Sequence, residues 1–245
     1  MSIEHARVIL FLSALSIATG GWAQDADTKP GTTPAPPLSA EHGTENDAPG
    51  VAPDSSPDSA TADDSAVAVV KQLNASLEKV LQEAEQLGYD GRLERLSPTL
   101  DAAFDFDYMA EKTVGRHWST LSPEEQARWV DLFADLSKAT YANRFDKYTG
   151  QTFEFVDSQP GASATVIVRS KVVSPGEEDV NLSYRLSKTP AGWKVIDVYY
   201  KGTVSEVAMR RADYSSVAKN DGFEALVARV NEKIAQLRAG DETTE

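Results

Sequence analysis

Apolar positions return at three- and four-residue steps through the first ordered-looking stretch of the chain. Val70, Leu73, Leu77, Val80, Leu81, Ala84 and Leu87 fall on one stripe, which predicts a helix over 66–87, and Gly88 suits its C′ position. A shorter helical piece over 92–100 leads to Phe104-Asp105-Phe106. Another, over 107–114 with Asp107 as its N-cap, stops at Gly115. Ser122-Pro123-Glu124-Glu125 then supplies an N-cap serine, a proline at N1 and the glutamate of a capping box. The helix it opens is predicted over 123–148, and its apolar stripe moves along its length. Trp129, Leu132, Phe133 and Leu136 share one face, whereas Tyr141, Phe145 and Tyr148 align on a face rotated from it. An apolar arc that wide has to touch two surfaces or curve around one.

Beyond Gly150 the period changes to two. Strands are predicted over 152–157, 164–173, 179–188 and 193–200, separated by Gln159-Pro160-Gly161, Ser174-Pro175-Gly176 and Thr189-Pro190-Ala191-Gly192. Pro/Gly turns between alternating runs signal an antiparallel meander. Val180, Leu182, Tyr184 and Leu186 point to one face, and Asn181, Ser183 and Arg185 to the other. Two more helices follow, one opened by a capping box at Thr203-Val204-Ser205-Glu206 and reaching about Tyr214. The second is opened at Asp221-Gly222-Phe223-Glu224 and carries the stripe Phe223, Leu226, Val227, Val230, Ile234 and Leu237. The pattern predicts an α+β domain with helices packed on one face of a curved four-stranded antiparallel sheet and an apolar pocket between the layers.

The polymer before residue 66 is different. Residues 1–23 read as an export signal: Arg7 precedes an apolar run over 8–18, and Gly21-Trp22-Ala23 supplies the small residues of a cleavage site. That run is shorter than the roughly twenty residues a spanning helix needs. Residues 24–65 are a Pro/Ala/Ser-rich acidic linker with almost no large apolar side chain to offset the entropy of ordering it. This stretch carries −8 of the chain's net charge of −14. Negative charge of that kind predicts no affinity for nucleic acid or anionic headgroups. The domain itself is predicted over 66–240. The chain has no cysteine, which excludes a disulfide framework, thiol catalysis and a lipid-anchored N-terminal cysteine.

The region from Phe104 to Phe155 holds more than half of the aromatic rings and almost no catalytic equipment. His117 has no partner at a telling spacing, and no acidic cluster accompanies it as a metal site would require. Asp105, Asp107 and Asp197 lie beside aromatic residues and could divide acid and base roles in a small pocket isomerase. Asp105 alternatively alternates outward between two inward phenylalanines. Arg210-Arg211, Arg144 and Lys147 read as a solvated basic face, or as contacts to a lipid phosphate or a partner. No phosphate loop, nucleophile elbow or dinucleotide motif is present. What remains is an apolar pocket, against which stands simple core packing. Periodicity does not separate the two.

Four segments carry a resemblance: Phe104-Asp105-Phe106 with Met109-Ala110; Trp118 with Leu121-Ser122-Pro123-Glu124-Glu125-Gln126; Tyr141-Ala142 with Phe145, Tyr148 and Gly150-Gln151; and Trp193-Lys194-Val195 with Asp197-Val198. In this order they resemble the MlaC/toluene-tolerance family of periplasmic lipid carriers. The stretch 202–214, together with 141–146, is similar to its hopanoid-biosynthesis-associated, HpnM-type branch. The resemblance implies a carrier of phospholipid or hopanoid, exported to the periplasm through a cleaved signal peptide. It implies exchange with an inner-membrane lipid transporter and outer-membrane acceptor proteins, as a monomer, with no catalysis, cofactor or metal. It also implies a lipid pocket lined by Phe104, Phe106, Met109, Trp118, Phe133, Tyr141, Phe145, Tyr148, Tyr184, Val198 and Tyr200. The competing reading is an envelope adaptor that binds proteins through an exposed helix or sheet face and holds no lipid.

Overall fold

A computed structural model of the chain describes residues 58–240. The signal segment 1–23 and most of the acidic stretch 24–65 lie outside the described residues.

Helix α1 (Asp58–Gln82) begins earlier than the apolar stripe alone predicts, within the stretch read as linker. It is followed by α2 (Ala84–Ala103), which is interrupted at Gly88, where φ is +60°. A left-handed glycine at this point lets the chain change direction where the stripe ends. Helix α3 (Phe106–Val114), a 3₁₀ turn (Gly115–Thr120) and α4 (Pro123–Arg144) complete the first half. The sheet follows as β1 (Thr152–Pro160), β2 (Val166–Val173), β3 (Val180–Thr189), β4 (Gly192–Tyr200) and β5 (Val204–Ser205), and the chain closes with α5 (Glu206–Asn220) and α6 (Phe223–Ala239). Each strand pairs antiparallel with its neighbour in sequence, in the order β1-β2-β3-β4-β5. The α+β meander is as predicted, with five strands in place of four. The fifth has two residues, too few for alternation to register.

Register sets which side chains meet the helices. Val168 lies opposite Tyr184, and Tyr184 opposite Val198, while Leu182 lies opposite Tyr200. All of these are buried on the helix-facing side. Register shifts at Phe155/Asp157 and at Arg185/Leu186 insert extra residues, and such bulges bend a strand and raise its twist. They account for the curvature that wraps the sheet around the helices. The far face is not uniformly wet. Ser183 and Asp197 are buried there, because the β4–β5 turn and the start of α5 fold over them.

Two helix caps differ from the pattern-based expectation. Asp105, not Asp107, caps α3 by accepting from the Tyr108 N–H at 3.0 Å. Ser205, not Thr203, caps α5 by accepting from the Ala208 N–H at 3.0 Å. In both cases an adjacent strand contact fixes the backbone at the start. The Asp105 N–H donates to the Val195 carbonyl, and Ser205 pairs with Tyr199 in β5. Likewise Gly222, rather than Asp221, is the residue before α6, with φ of +88°. The Ser122 capping box of α4 is present in full. Helix α4 ends at Arg144, short of the predicted 148, because the following residues have to reverse direction into β1.

The caps yield a direct test by urea unfolding. Ser205→Ala should cost about 1–2 kcal/mol, since it removes both a cap and the hydroxyl that donates to Asp197. Thr203→Ala should stay within about 0.5 kcal/mol. Equal losses would place the cap at Thr203 instead.

Candidate functional site

Six rings form a continuous ladder between the helix layer and the sheet. Phe104 and Phe106 flank Asp105 at the α2–α3 junction. The chain there changes from extended to helical, which turns both rings to the same side. They stack with centroids 5.6 Å apart and planes 8° from parallel. Phe106 meets Phe133 edge-on at 6.3 Å, and Phe104 meets Tyr141 edge-on at 5.9 Å. Tyr141 then stacks on Phe145 at 5.8 Å, and Phe145 on Phe153 of β1 at 6.1 Å. Pairs in these geometries add roughly 0.5–1.5 kcal/mol each beyond their buried area. Helix α4 supplies Phe133 and Tyr141, with Phe145 at its C-cap, and its close backbone neighbours are α2, α3 and α6. Its reach toward the sheet is made by ring side chains, whereas α1 lies directly on β1, β2 and β4.

Polar groups enter this apolar layer at two places. Asn74 of α1 donates to the Ser170 hydroxyl at 3.0 Å and accepts from the Tyr184 hydroxyl at 3.2 Å. Arg210 of α5 turns inward, with its side chain 15% exposed. Its Nε and Nη2 both donate to Glu206 Oε1, at 3.0 and 2.8 Å. Its Nη1 donates to the Tyr214 hydroxyl at 3.2 Å, and the guanidinium lies 5.5 Å over the Phe133 ring. Burial opposes its charge, but Tyr214 and Glu206 outweigh burial and push its pKa up. Arg210 is therefore not part of a solvated basic face. Arg144 is buried as well, whereas Lys147 and Arg211 are exposed, Arg211 lying across Gly115. Burial pushes the phenols of Tyr141 and Tyr184 up, so both remain neutral hydroxyls.

Of the residues predicted to line a pocket, Phe104, Phe106, Met109, Phe133, Tyr141, Phe145, Tyr184, Val198 and Tyr200 are all buried in one core. Trp118, in the 3₁₀ turn, is partly buried against that core. Tyr148 is 40% exposed, because α4 ends before it and the chain turns away. Sequence reasoning missed Phe153 and Asn74, and read Arg210 as part of a solvated face where it is largely buried. The strand alternation carried the signal for Phe153, whereas nothing in the local pattern distinguishes Arg210 from its neighbour.

The ladder reaches solvent at a cleft of about 420 Å³ beside the start of α3. Phe104, Phe106, Val130 and Ala134 form its apolar wall, and Asp101, Asp107 and Asp131 stand at its rim. Lys138 pairs with Asp101 at 2.7 Å, and Lys194 donates to the last carbonyls of α2. The carboxylates considered for catalysis have structural roles. Asp105 caps α3, and Asp197 accepts from the Ser205 hydroxyl at 2.6 Å and the Val207 N–H at 3.2 Å. Burial raises the Asp197 pKa, an effect its hydrogen bonds from Ser205 and Val207 oppose. Among the described residues, no three carboxylate or histidine side chains converge as metal ligands. No helix there is long and apolar enough to cross a membrane.

Residues 71–232 match the sequence model of the family described as MlaC protein. Among solved structures, a phospholipid-binding protein from Ralstonia solanacearum, determined in complex with a phospholipid, is similar at a TM-score of 0.61 and 27% sequence identity. The match covers 72% of this chain and 98% of that one. No curated protein matches.

Truncating the ladder separates its members from its neighbours in sequence. Phe145→Ala should destabilise the domain by about 3–5 kcal/mol, as expected for a fully buried ring. Tyr148→Ala should change stability by no more than about 0.5 kcal/mol. Paired denaturant titrations read both.

Proposed function

The chain belongs to the MlaC family, and from that premise we propose that it is a lipid-binding carrier whose acyl chains lie between α4 and the sheet. The observation that carries this reading is the ladder itself: α4 is held off the sheet by rings, not by close backbone packing. Rings on two side-chain torsions can turn aside without a change of backbone, so a layer built of them can part to admit a chain. Burying a sixteen-carbon chain returns roughly 12 kcal/mol gross at about 0.8 kcal/mol per methylene. A surface groove recovers only part of that, so a carrier in water needs an enclosed slot.

In this reading the lining is the predicted set without Tyr148, extended by Phe153. Phe104 and Phe106 stand where the slot opens into the 420 Å³ cleft. The Ralstonia protein, which binds a phospholipid, is similar over nearly its whole length, and that supports a lipid as the cargo. Phospholipid is the first cargo to consider. A hopanoid is the second, on the similarity of 202–214 to the HpnM-type branch. The carrier would be exported to the periplasm and act there as a monomer. It would take lipid from or deliver it to an inner-membrane transporter and outer-membrane acceptors. No bond-making step is involved, in keeping with the use of Asp105 as a helix cap and of Asp197 as the acceptor for Ser205 and Val207.

The mature protein, purified and extracted with organic solvent, should release close to one lipid per chain by mass spectrometry, and the mass should identify the cargo. Repeated recovery of empty protein, together with no uptake from labelled phospholipid vesicles, would sink the proposal.

A further inference from the structure

A second cavity, of about 160 Å³, lies at the opposite end of α4 from the acidic cleft, where the last turns of α4 and α6 meet the first half of α2. Three arginines line it, Arg92, Arg144 and Arg238, together with Tyr89, Asn143 and Asp146. Arg144 is 9% exposed, and Arg92, at 7%, is the most deeply buried of the three. Its Nε donates to the Ala142 carbonyl at 2.7 Å and its Nη1 to the Ala84 carbonyl at 3.1 Å. Both acceptors are neutral, and among the described residues no carboxylate lies within ion-pairing distance of Arg92. A guanidinium has five N–H donors, so its Nη2 pair is left over. Buried charges are ordinarily paired, because the cost of removing them from water is otherwise unmet. Burial lowers the Arg92 pKa, and the nearby Asp146 carboxylate offsets only part of that effect. Arg238 approaches from the surface, where it is tied to Asp90 at 2.9 Å.

We propose that this cavity binds the oxyanion of a phosphate group, carried either by free inorganic phosphate or by a lipid headgroup. Planar guanidinium forks match phosphate oxygens in geometry and charge, and the Tyr89 hydroxyl adds a further donor. Asp146 is the one carboxylate on the wall, so it sets an upper limit on affinity. The alternative is that Arg92 only ties helix ends together through their carbonyls, in which case no phosphate binds. The proposal stands whether or not the lipid-carrier reading does.

Because Arg92→Gln would also cut a tie to α4 and a second tie across the Gly88 break within α2, the test uses Arg238→Gln and Asp146→Asn. Inorganic phosphate is titrated into the purified protein by calorimetry at fixed ionic strength. Wild type should bind, Arg238→Gln should bind about five- to tenfold more weakly, and Asp146→Asn should bind more tightly by a similar factor. No binding to wild type, or the same affinity in all three proteins, would overturn it. The source of the phosphate follows from repeating the titration on protein stripped of lipid and on protein refilled from phosphatidylglycerol vesicles. Loss of phosphate binding on refilling assigns the cavity to the headgroup. Equal binding in both forms assigns it to free phosphate.

Discussion

Helix α4 has to be buried on two sides at once, and most of the architecture follows from how that is met. On one side Trp129 is fully buried, donates its indole N–H to the Ala110 carbonyl at 3.1 Å, and packs edge-on against Tyr214 and Phe223. One side chain thereby joins α3, α4, α5 and α6 into a single layer. Phe133, on the Trp129 face, meets Phe106, and on the rotated face Tyr141 and the C-cap residue Phe145 carry the ladder on to Phe153 of the sheet. Both requirements were visible as two stripes rotated from one another along one helix.

The legibility of the sequence follows the range of the forces involved. Meander strands, the Ser122 capping box and the α6 stripe depend on residues a few positions apart, and pattern reading finds them. Caps at Asp105 and Ser205 depend on which neighbour the sheet holds in place: for Asp105 a contact to Val195 far along the chain, for Ser205 the short β4–β5 pairing with Tyr199 that helical patterning does not register. The end of α4 depends on the geometry of the reversal into β1, so Tyr148 read as a continuation of the stripe although it lies outside the helix. Arg210 and Arg211 are indistinguishable as neighbours in sequence. Only the position of α5 against α3 and Phe133 sends one inward and the other across Gly115. The ring cluster was legible as a candidate site, whereas its polar members were not, because hydrogen-bond partners such as Asn74 and Tyr184 stand 110 positions apart.

Those polar members limit the ways the layer can rearrange. The Asn74–Ser170–Tyr184 chain and the Glu206–Arg210–Tyr214 group have their bonds met inside the fold. Breaking either in a dry setting leaves a buried donor or acceptor without a partner, at about 1–3 kcal/mol or more where a charge is involved. The phenylalanine rings carry no such penalty when they slide. The apolar rungs are thus the compliant part of the interface, and the hydrogen-bonded groups are its fixed points.

The α2–α3 junction is stitched to β4 by the Phe104–Val195 bridge and by the Asp105 N–H to Val195 carbonyl bond at 2.9 Å. With α1 seated on β1, β2 and β4, it is the α2–α3–α4 side of the layer that can part from the sheet, and being fastened at this margin it cannot lift away evenly. Any widening between α4 and the sheet is a rotation about that margin, and the displacement grows toward the Phe145–Phe153 rungs over the outer strand β1. The molecule is built like a book with its spine at Val195, and the length of whatever lies between its covers is bounded by how far β1 stands from that spine.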